Sequence, residues 1–472
     1  MRSCKYMNWL PLAFGILLFS SCSESNEANV TLKPRLVVMT DIGPAEVEPD
    51  DNESAVRLMA YADRFEIEGI ITTVGWNCDP YPAGWADYLY RVIDGYETDV
   101  LNLMKRSGQV GFLSSEEEQG CQELGYWPSA GYIRSRAVMG SPRAGIGVIG
   151  EDNDTAGSDL LIRLADEDDD RPIYLCAWGS ANTFAQAVWR VKQERTPDEL
   201  RAFLHKFRLY TITDQDMVWA MRMDRAYSSH QWLRREFPED LMLVWDESAW
   251  LNQNELGKNN WELYREHIQG HGEMGKVYPD YLWGVEGDTP SFLNAMPNGL
   301  NSPDDPAQAG WGGVHEFGIS PDGETSCWTN WQKDLKDISN FYENKFYPDE
   351  FNDFASRMEW AATGNGNHNP VAMINGNEGL EPIHICALSG RSYKFDASES
   401  FDPDGDMLHY QWWFQEFPGV VEYPELSSDS CPKVTVTIPS ALRGRTFHLV
   451  CEVHDDGPFN LVSYRRVIIE AI

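Results

Sequence analysis

Positive charge is scarce in this chain: across 472 residues, 38 lysines and arginines stand against 74 aspartates and glutamates, a formal net charge of −36. No broad face of such a protein can displace phosphate counterions, which excludes nucleic acid as a partner. Cysteine lacks pattern. Beyond Cys4 and Cys22, the seven at 78, 121, 176, 327, 386, 431 and 451 are odd in number, widely spaced and without a CxxC pair. They signal neither a disulfide framework nor a zinc site; buried free thiols are the default, with one or two bridges open in an oxidising compartment. No apolar run beyond the first twenty-odd residues is long enough to cross a bilayer. Internal repeats are also missing.

What is present is a globular composition, 42% hydrophobic and 12% aromatic, with length enough for two or three domains. The acidic balance suits metal cations and neutral substrates. The 18 Trp, 20 Tyr and 20 Phe are mostly expected in cores, yet they also fit a flat neutral ligand such as a sugar. The start of the chain reads as an address. Arg2 and Lys5 precede an apolar run from Trp9 to Phe19, too short to span a bilayer, and Ser20-Ser21-Cys22 follows. This stretch resembles a bacterial lipoprotein signal, with Cys22 as the lipidated first residue; an ordinary cleaved signal is the alternative. The expectation is an exported protein, lipid-anchored at the outer membrane or cell surface, whose only membrane contact is through Cys22.

Two rhythms divide the rest. From Arg35 to about Asn340, short apolar runs alternate with helical stretches. Strands are expected at Leu36–Met39, Ile67–Val74, Ile146–Ile149, Ile173–Trp178, Phe207–Thr213 and Leu241–Trp245, and helices at Glu53–Arg64, Ser158–Ala165 and Asn182–Lys192. Unbroken strands separated by helices predict an α/β fold, a mostly parallel sheet covered on both faces, with its site at the strand C-termini. After about Asn365 the pattern alternates strictly, as in Leu408, Tyr410, Trp412, Phe414 and in Phe447, Leu449, Cys451, Val453. That predicts an all-β, Ig-like sandwich. The expected boundaries are 1–21 signal, 22–33 tether, 34–345 α/β domain, 346–369 helical linker with a hinge at 364–367, and 370–472 sandwich.

Chemistry is densest where the first strand ends. Asp41, Glu46, Glu48, Asp50 and Asp51 put five carboxylates into eleven residues just before a helix. Two readings compete. Asp50 or Asp51 caps the helix while the others are solvated, or Asp41 and the Asp50-Asp51 pair converge on a hard divalent cation.

The segment Val38–Met59, together with Ile70-Ile71-Thr72-Thr73-Val74-Gly75-Trp76-Asn77, resembles the aspartate-rich opening and asparagine-ended second strand of nucleoside hydrolases. Its longer first loop, with Asp214-Gln215-Asp216 and Gly287-Asp288-Thr289-Pro290, resembles the secreted nucleoside-hydrolase-like family described as cellulose-binding. The resemblance covers roughly 34 to 340 and continues into Asp455-Asp456-Gly457 and Tyr464-Arg465-Arg466. It implies a calcium-like ion held by Asp41, Asp51, Asp288 and the backbone carbonyl of Asn182. Asp41 is then also the general base. Asp50 and Asn77 would contact the sugar, and Asp214 and Asp216 are assigned to substrate binding with them. Where nucleosidases carry a histidine before the late aspartate, this chain has Gly287, so the family's proton donor is missing; Glu286, His230, His315 and Glu316 are the replacements on offer.

In the tail, Asp402, Asp404 and Asp406 either ligate calcium, as in the loops of polycystic-kidney-disease and cadherin-like sandwiches that this stretch resembles, or make a tight turn. The expected activity is metal-dependent hydrolysis of a glycosidic bond, N- or O-linked, in a glycan or furanoside, with Trp76, Trp178, Trp219, Trp232 and Trp311 as sugar-stacking candidates. The rival is non-catalytic binding of a cellulose-like polysaccharide, and a third, weaker reading is a surface scaffold for polysaccharide uptake. A homodimer is compatible with either of the first two.

Overall fold

The computed structural model describes residues 31–216 and 227–472, so the signal segment, Cys22 and Trp219 lie outside the described residues. Eight strands form the first sheet: β1 (Arg35–Thr40), β2 (Glu66–Thr72), β3 (Ala137–Met139), β4 (Ile173–Ala177), β5 (Phe207–Ile212), β6 (Met242–Asp246), β7 (Glu316–Ile319) and β8 (Ser326–Thr329). Their order is β3-β2-β1-β4-β5-β6-β8-β7, and every neighbouring pair is parallel except β7–β8. All six residues of β1 are buried. Leu36 and Val38 point into one core and Val37 and Met39 into the other, so both faces are covered. Burial on both sides is why β1, β4 and β6 carry apolar runs rather than alternation.

The chain leaves β1 toward β2 on one side and later returns to β4 on the other. In register, Met39 lies beside both Ile71 and Ala177, so the three strands end at one level. This is a topological switch point, where the loops diverge and leave a crevice beyond the strand C-termini.

Two expectations fail here. Ile146–Ile149 is no strand but contains a short 3-10 turn, Ile146–Val148. Gly145 has φ 84°, and a Cβ on Gly147 would lie 2.4 Å from the Tyr227 hydroxyl, so these glycines serve close packing rather than a ladder. The place beside β2 is taken by the three-residue β3. The first helix also begins four residues earlier than expected, at Pro49, because proline's fixed φ and missing N–H suit a first helical position.

Much of the segment expected as a linker is the second half of one helix, Lys333–Thr363. Its Phe346, Tyr347, Phe351, Phe354 and Met358 are buried in the first core, and Gly364, at φ 67°, ends it. Beyond it stand β9 (Ile383–Ala387), β10 (Arg391–Asp396), β11 (His409–Phe414), β12 (Glu425–Leu426), β13 (Lys433–Ile438), β14 (Thr446–His454) and β15 (Val462–Ala471). They form a sandwich of two sheets, β10-β13-β12 and β11-β14-β15-β9, around Phe395, Trp412, Val436, Phe447 and Leu449. Strand β15 joins the sandwich to the α/β domain. The fully buried Arg466 donates to the carbonyls of Leu300 (2.5 Å) and Ala309 (2.9 Å), while Tyr464 hydrogen-bonds Asp349 (2.8 Å).

The tail aspartates make the tight turn, with Asp402 Oδ2 left buried without a partner. Asp402 accepts from the backbone N–H groups of Asp404 (2.7 Å) and Asp406 (3.2 Å), and Asp404 pairs with His368 and Arg106. All seven cysteines among the described residues are free; Cys176, Cys327 and Cys451 are buried.

Candidate active site

Asp41 follows β1 directly, in the crevice that the switch point opens. Two glycines let neighbouring loops close on it. A Cβ at Gly75, after β2, would lie 1.6 Å from one Asp41 carboxylate oxygen, and one at Gly179, after β4, 3.0 Å from the other. The acidic loop is pinned at several points. Asn52 donates to the carbonyls of Gly43 (2.8 Å) and Glu48 (2.7 Å), Tyr81 donates to the carbonyl of Ile42 (2.6 Å), and the Thr40 hydroxyl donates to Asp51. Asp50 and Asp51 sit in the first turn of the helix Pro49–Ala60. Asp288 arrives from the far end of the domain, just before the turn Thr289–Leu293.

Carboxylate oxygens of Asp41, Glu48 and Asp51 all lie within 4.8 Å of one another, and so do those of Asp50, Asp51 and Asp288. Asp51 belongs to both groups. The charges that act most on Asp41, Glu48, Asp51 and Asp288 are other carboxylates. Burial, then the neighbouring Asp50, pushes Asp41 up to about 7. Burial pushes Asp50 up to about 6 against the pull of the amides of Asp50 and Asp51. Burial and then Asp41, Asp50 and Asp51 drive Glu48 up to about 12. Asp51 and Asp288 are raised well above the carboxylate range for the same reasons.

Such a cluster can be relieved by protons or by a cation. Two buried oxygens, Asp50 Oδ1 and Asp288 Oδ2, have no hydrogen-bond partner in the protein. Buried acceptors left bare are costly, and an all-oxygen set fits a hard divalent ion such as calcium. The residues present therefore fit a metal.

The charge cluster has a consequence for pH. An acid with a raised pKa holds its proton in the folded chain and releases it on unfolding, so stability falls as pH climbs from the ordinary 3.8 toward about 7 for Asp41. In chelator, Tm should drop between pH 5 and pH 8. Calcium should raise it more at pH 8, where fewer protons compete for the ligands. A chelated Tm that stays flat over this range would contradict the buried cluster.

Beside the carboxylates lies a cavity of about 260 Å³, walled by Trp76, Trp178, Trp250 and Trp283 with Gln215 and Asn254. Of the tryptophans expected to stack on sugar, Trp76 and Trp178 are here. Trp232 packs on Phe237 (5.6 Å) and Trp311 on Tyr464 (6.2 Å) instead. Trp250 and Trp283 were not foreseen; nothing local marks them, although Trp250 does lie four residues past the end of β6. Glu48 was within reach of the sequence, being inside the acidic run.

Asp41, Asp50, Asp51 and Asp288 come together as expected, and Asn77 touches the group by donating to Glu48. Asn182 does not line the cavity. It opens the helix Asn182–Glu194, and its side chain donates to the Gly145 carbonyl (2.8 Å). Asp214 and Asp216 do not line it either. Asp214 accepts from the Ser228 hydroxyl (2.7 Å), and Asp216 from the backbone N–H groups of Ser229 (2.5 Å) and His230 (3.3 Å), so both tie down the start of the helix Ser229–Glu236. Gln215, between them, faces the cavity.

None of the replacement acids lines the cavity. Glu286 is fully buried in an ion pair with Arg57 (2.5 Å) and bonded by Tyr278 (3.0 Å). His230 is bonded to Thr211 (2.9 Å) and Arg234 (3.1 Å), and burial holds it neutral. His315 is buried against Tyr210 and held down to about 4. Glu316 is exposed on β7. At Gly287 a Cβ would lie 2.9 Å from Asp50 Oδ2 and 3.0 Å from Asn254 Nδ2, so a side chain there would have to displace those two side-chain ends.

The family described as "Cellulose-binding Sde182, nucleoside hydrolase-like domain" matches residues 35–315, and that described as "Cellulose-binding protein Sde0182, C-terminal domain" matches residues 392–471. Among solved structures, the chain is similar to a nucleoside hydrolase-related hypothetical protein from Saccharophagus degradans that is associated with carbohydrate metabolism. The identity is 31% and the TM-score 0.77, over 93% of this chain and 100% of that one. The PKD domain from KIAA 1837 protein (21% identity, TM-score 0.16, 23% of this chain and 91% of that one) is too weak a likeness to carry weight. The same holds for an endo-fucoidan hydrolase of glycoside hydrolase family 107 (8%, 0.17, 93% and 68%). No curated protein matches the chain.

Proposed function

The chain belongs to the cellulose-binding Sde182 family with its nucleoside hydrolase-like domain, and from that premise we propose that it hydrolyses glycosyl bonds of a carbohydrate with the help of a divalent cation. The observation that carries this reading is the meeting of five acidic side chains and four indoles in one cavity at the switch point. Asp41, Asp51 and Asp288 would hold the cation, calcium by the chemistry of the donors. When bound, it supplies Lewis acidity that eases deprotonation of water.

The remaining work falls to the chain. Asp41, fixed between Gly75 and Gly179, takes the proton from the attacking water. Asp50, on the cavity wall, accepts hydrogen bonds from sugar hydroxyls as the ring gains oxocarbenium character. The indoles of Trp76, Trp178, Trp250 and Trp283 offer flat apolar faces to the sugar and keep bulk water out. Attack is direct, as with the water-activating carboxylate of inverting glycosidases. The water oxygen bonds to the anomeric carbon as the glycosyl bond breaks. The departing group takes up a proton from water as it leaves, and Asp41 gives its own back to solvent. Lipidation at Cys22 would hold the cavity at the cell surface, within reach of external glycans.

A second reading, binding without turnover, is favoured by one observation: Gly287 supplies no side-chain acid before Asp288, and no acid outside the carboxylate cluster lines the cavity. Incubation with calcium and a panel of cello-oligosaccharides, aryl furanosides and nucleosides separates the two. Hydrolysis predicts new reducing ends from a glycan or furanoside. Saturable binding of the same compounds with no product would replace it by the second reading.

A further inference from the structure

A second groove lies where the long helix Lys333–Thr363 meets strand β11, and its lining shares no residue with the cavity above Asp41. It measures about 670 Å³, inside the range of ~300–1,000 Å³ usual for ligand sites. Its two walls follow from periodicity. On β11, Trp412 turns into the sandwich core, so Gln411 and Trp413 face outward. On the helix, Phe341 and Lys345 are four residues apart, as are Asn340 and Asn344, which puts both pairs on the face that meets them.

The groove is rigid on one side. The Trp413 ring rests on Tyr342 (5.4 Å between centroids) and Phe346 (6.0 Å), and its Nε1 donates to Glu452 (2.7 Å). Lys345 also pairs with Glu452 (2.6 Å), so the cation in the groove is already neutralised. Phe341 is 53% exposed, Gln411 and Asn344 are exposed, and Phe414 is half-buried. Fixed aromatic rings interleaved with amides suit a ligand that alternates C–H faces with hydroxyls. The spent lysine and the net charge of −36 disfavour an anionic one.

We propose that this groove is a second glycan site, taking a neutral chain of flat, equatorially substituted pyranoses. It would hold a polymer by its length while the cavity above Asp41 receives one sugar unit. The groove does not depend on that cavity's activity.

Calorimetry with cellohexaose on the full chain carrying Asp41→Asn, which blocks consumption of the probe, tests the groove. Two binding events are expected, and adding Phe341→Ala with Gln411→Ala should weaken one at least ~10-fold while Tm and the calcium titration stay unchanged. Both substituted side chains are exposed, so the fold should survive. No event that the groove substitutions weaken, whether one event or two are seen before them, would overturn the proposal. So would a wild-type dimer, seen by sedimentation, that dissociates on Phe341→Ala, since the groove would then be a contact between copies. Loss of one event by the groove substitutions, together with a wild-type chain that releases no sugar from any glycan or furanoside, would uphold the groove and sink only the hydrolytic reading.

Discussion

Asp41→Asn should lower the release of reducing sugar by about 10²–10⁴-fold, the usual contribution of a positioned general base, and toward the upper end because the same side chain holds the cation. Asparagine preserves the shape of the side chain that packs against Gly75 and Gly179. It also removes one negative charge from a crowd of carboxylates, which gives the variant a signature that a misfolded protein would not show. In chelator at pH 8, Asp41→Asn should melt higher than the wild type, because a buried group pushed up to about 7 no longer has to ionise. With calcium present, the order should reverse. Wild-type turnover in the variant would remove Asp41 from the chemistry.

Asp51→Ala should have the largest effect on the metal. Asp51 is the carboxylate common to both acidic groups, and Thr40 orients it through a hydrogen bond. Loss of an outer partner of a ligand commonly costs ~10–100-fold in metal affinity, so loss of Asp51 itself should cost at least about 100-fold. Calorimetric titration with calcium would read this directly, and the calcium-dependent rise in Tm should vanish with it. An identical titration in Asp51→Ala and wild type would mean that calcium binds elsewhere. Asp288→Asn offers an independent check, since Asp288 Oδ2 is, with Asp50 Oδ1, one of the cluster's buried carboxylate oxygens without a partner.

Much of the scaffold was legible in the sequence, and the reason is burial. β1, β4 and β6 are covered on both faces and appear as apolar runs that need no partner to be recognised, while β2 shows one only over its second half, its Glu66 and Glu68 being buried in ion pairs with Arg171 and Arg35. β3 has only three residues, and β7 and β8 form a short antiparallel pair at the sheet edge; these carry too little pattern to stand out. At Ile146–Ile149 the apolar residues imitated a strand, while Gly147 among them and Gly145 before them were serving Tyr227. The sandwich was plain because alternation of Phe447, Leu449, Cys451 and Val453 is a one-dimensional signal of a two-sided strand.

The acidic half of the site was legible for a different reason. Asp41, Glu48, Asp50 and Asp51 are neighbours in the chain, and only Asp288 had to be supplied by resemblance. Asp214 and Asp216 misled because sequence does not tell which way a turn directs its side chains. In the folded chain they reach back to Ser228 and Ser229, and the intervening Gln215 looks into the cavity. Trp250 and Trp283 were out of reach, since tertiary packing alone carries them to the cavity wall.

Anomalous diffraction from crystals grown in ample calcium would settle whether the acidic loop is built around an ion. One strong peak is expected beyond the end of β1, with Asp41, Asp51 and Asp288 oxygens at 2.3–2.6 Å from it, the usual calcium–oxygen distance. Density with no peak there, and those side chains protonated or turned toward solvent, would contradict the account at its root.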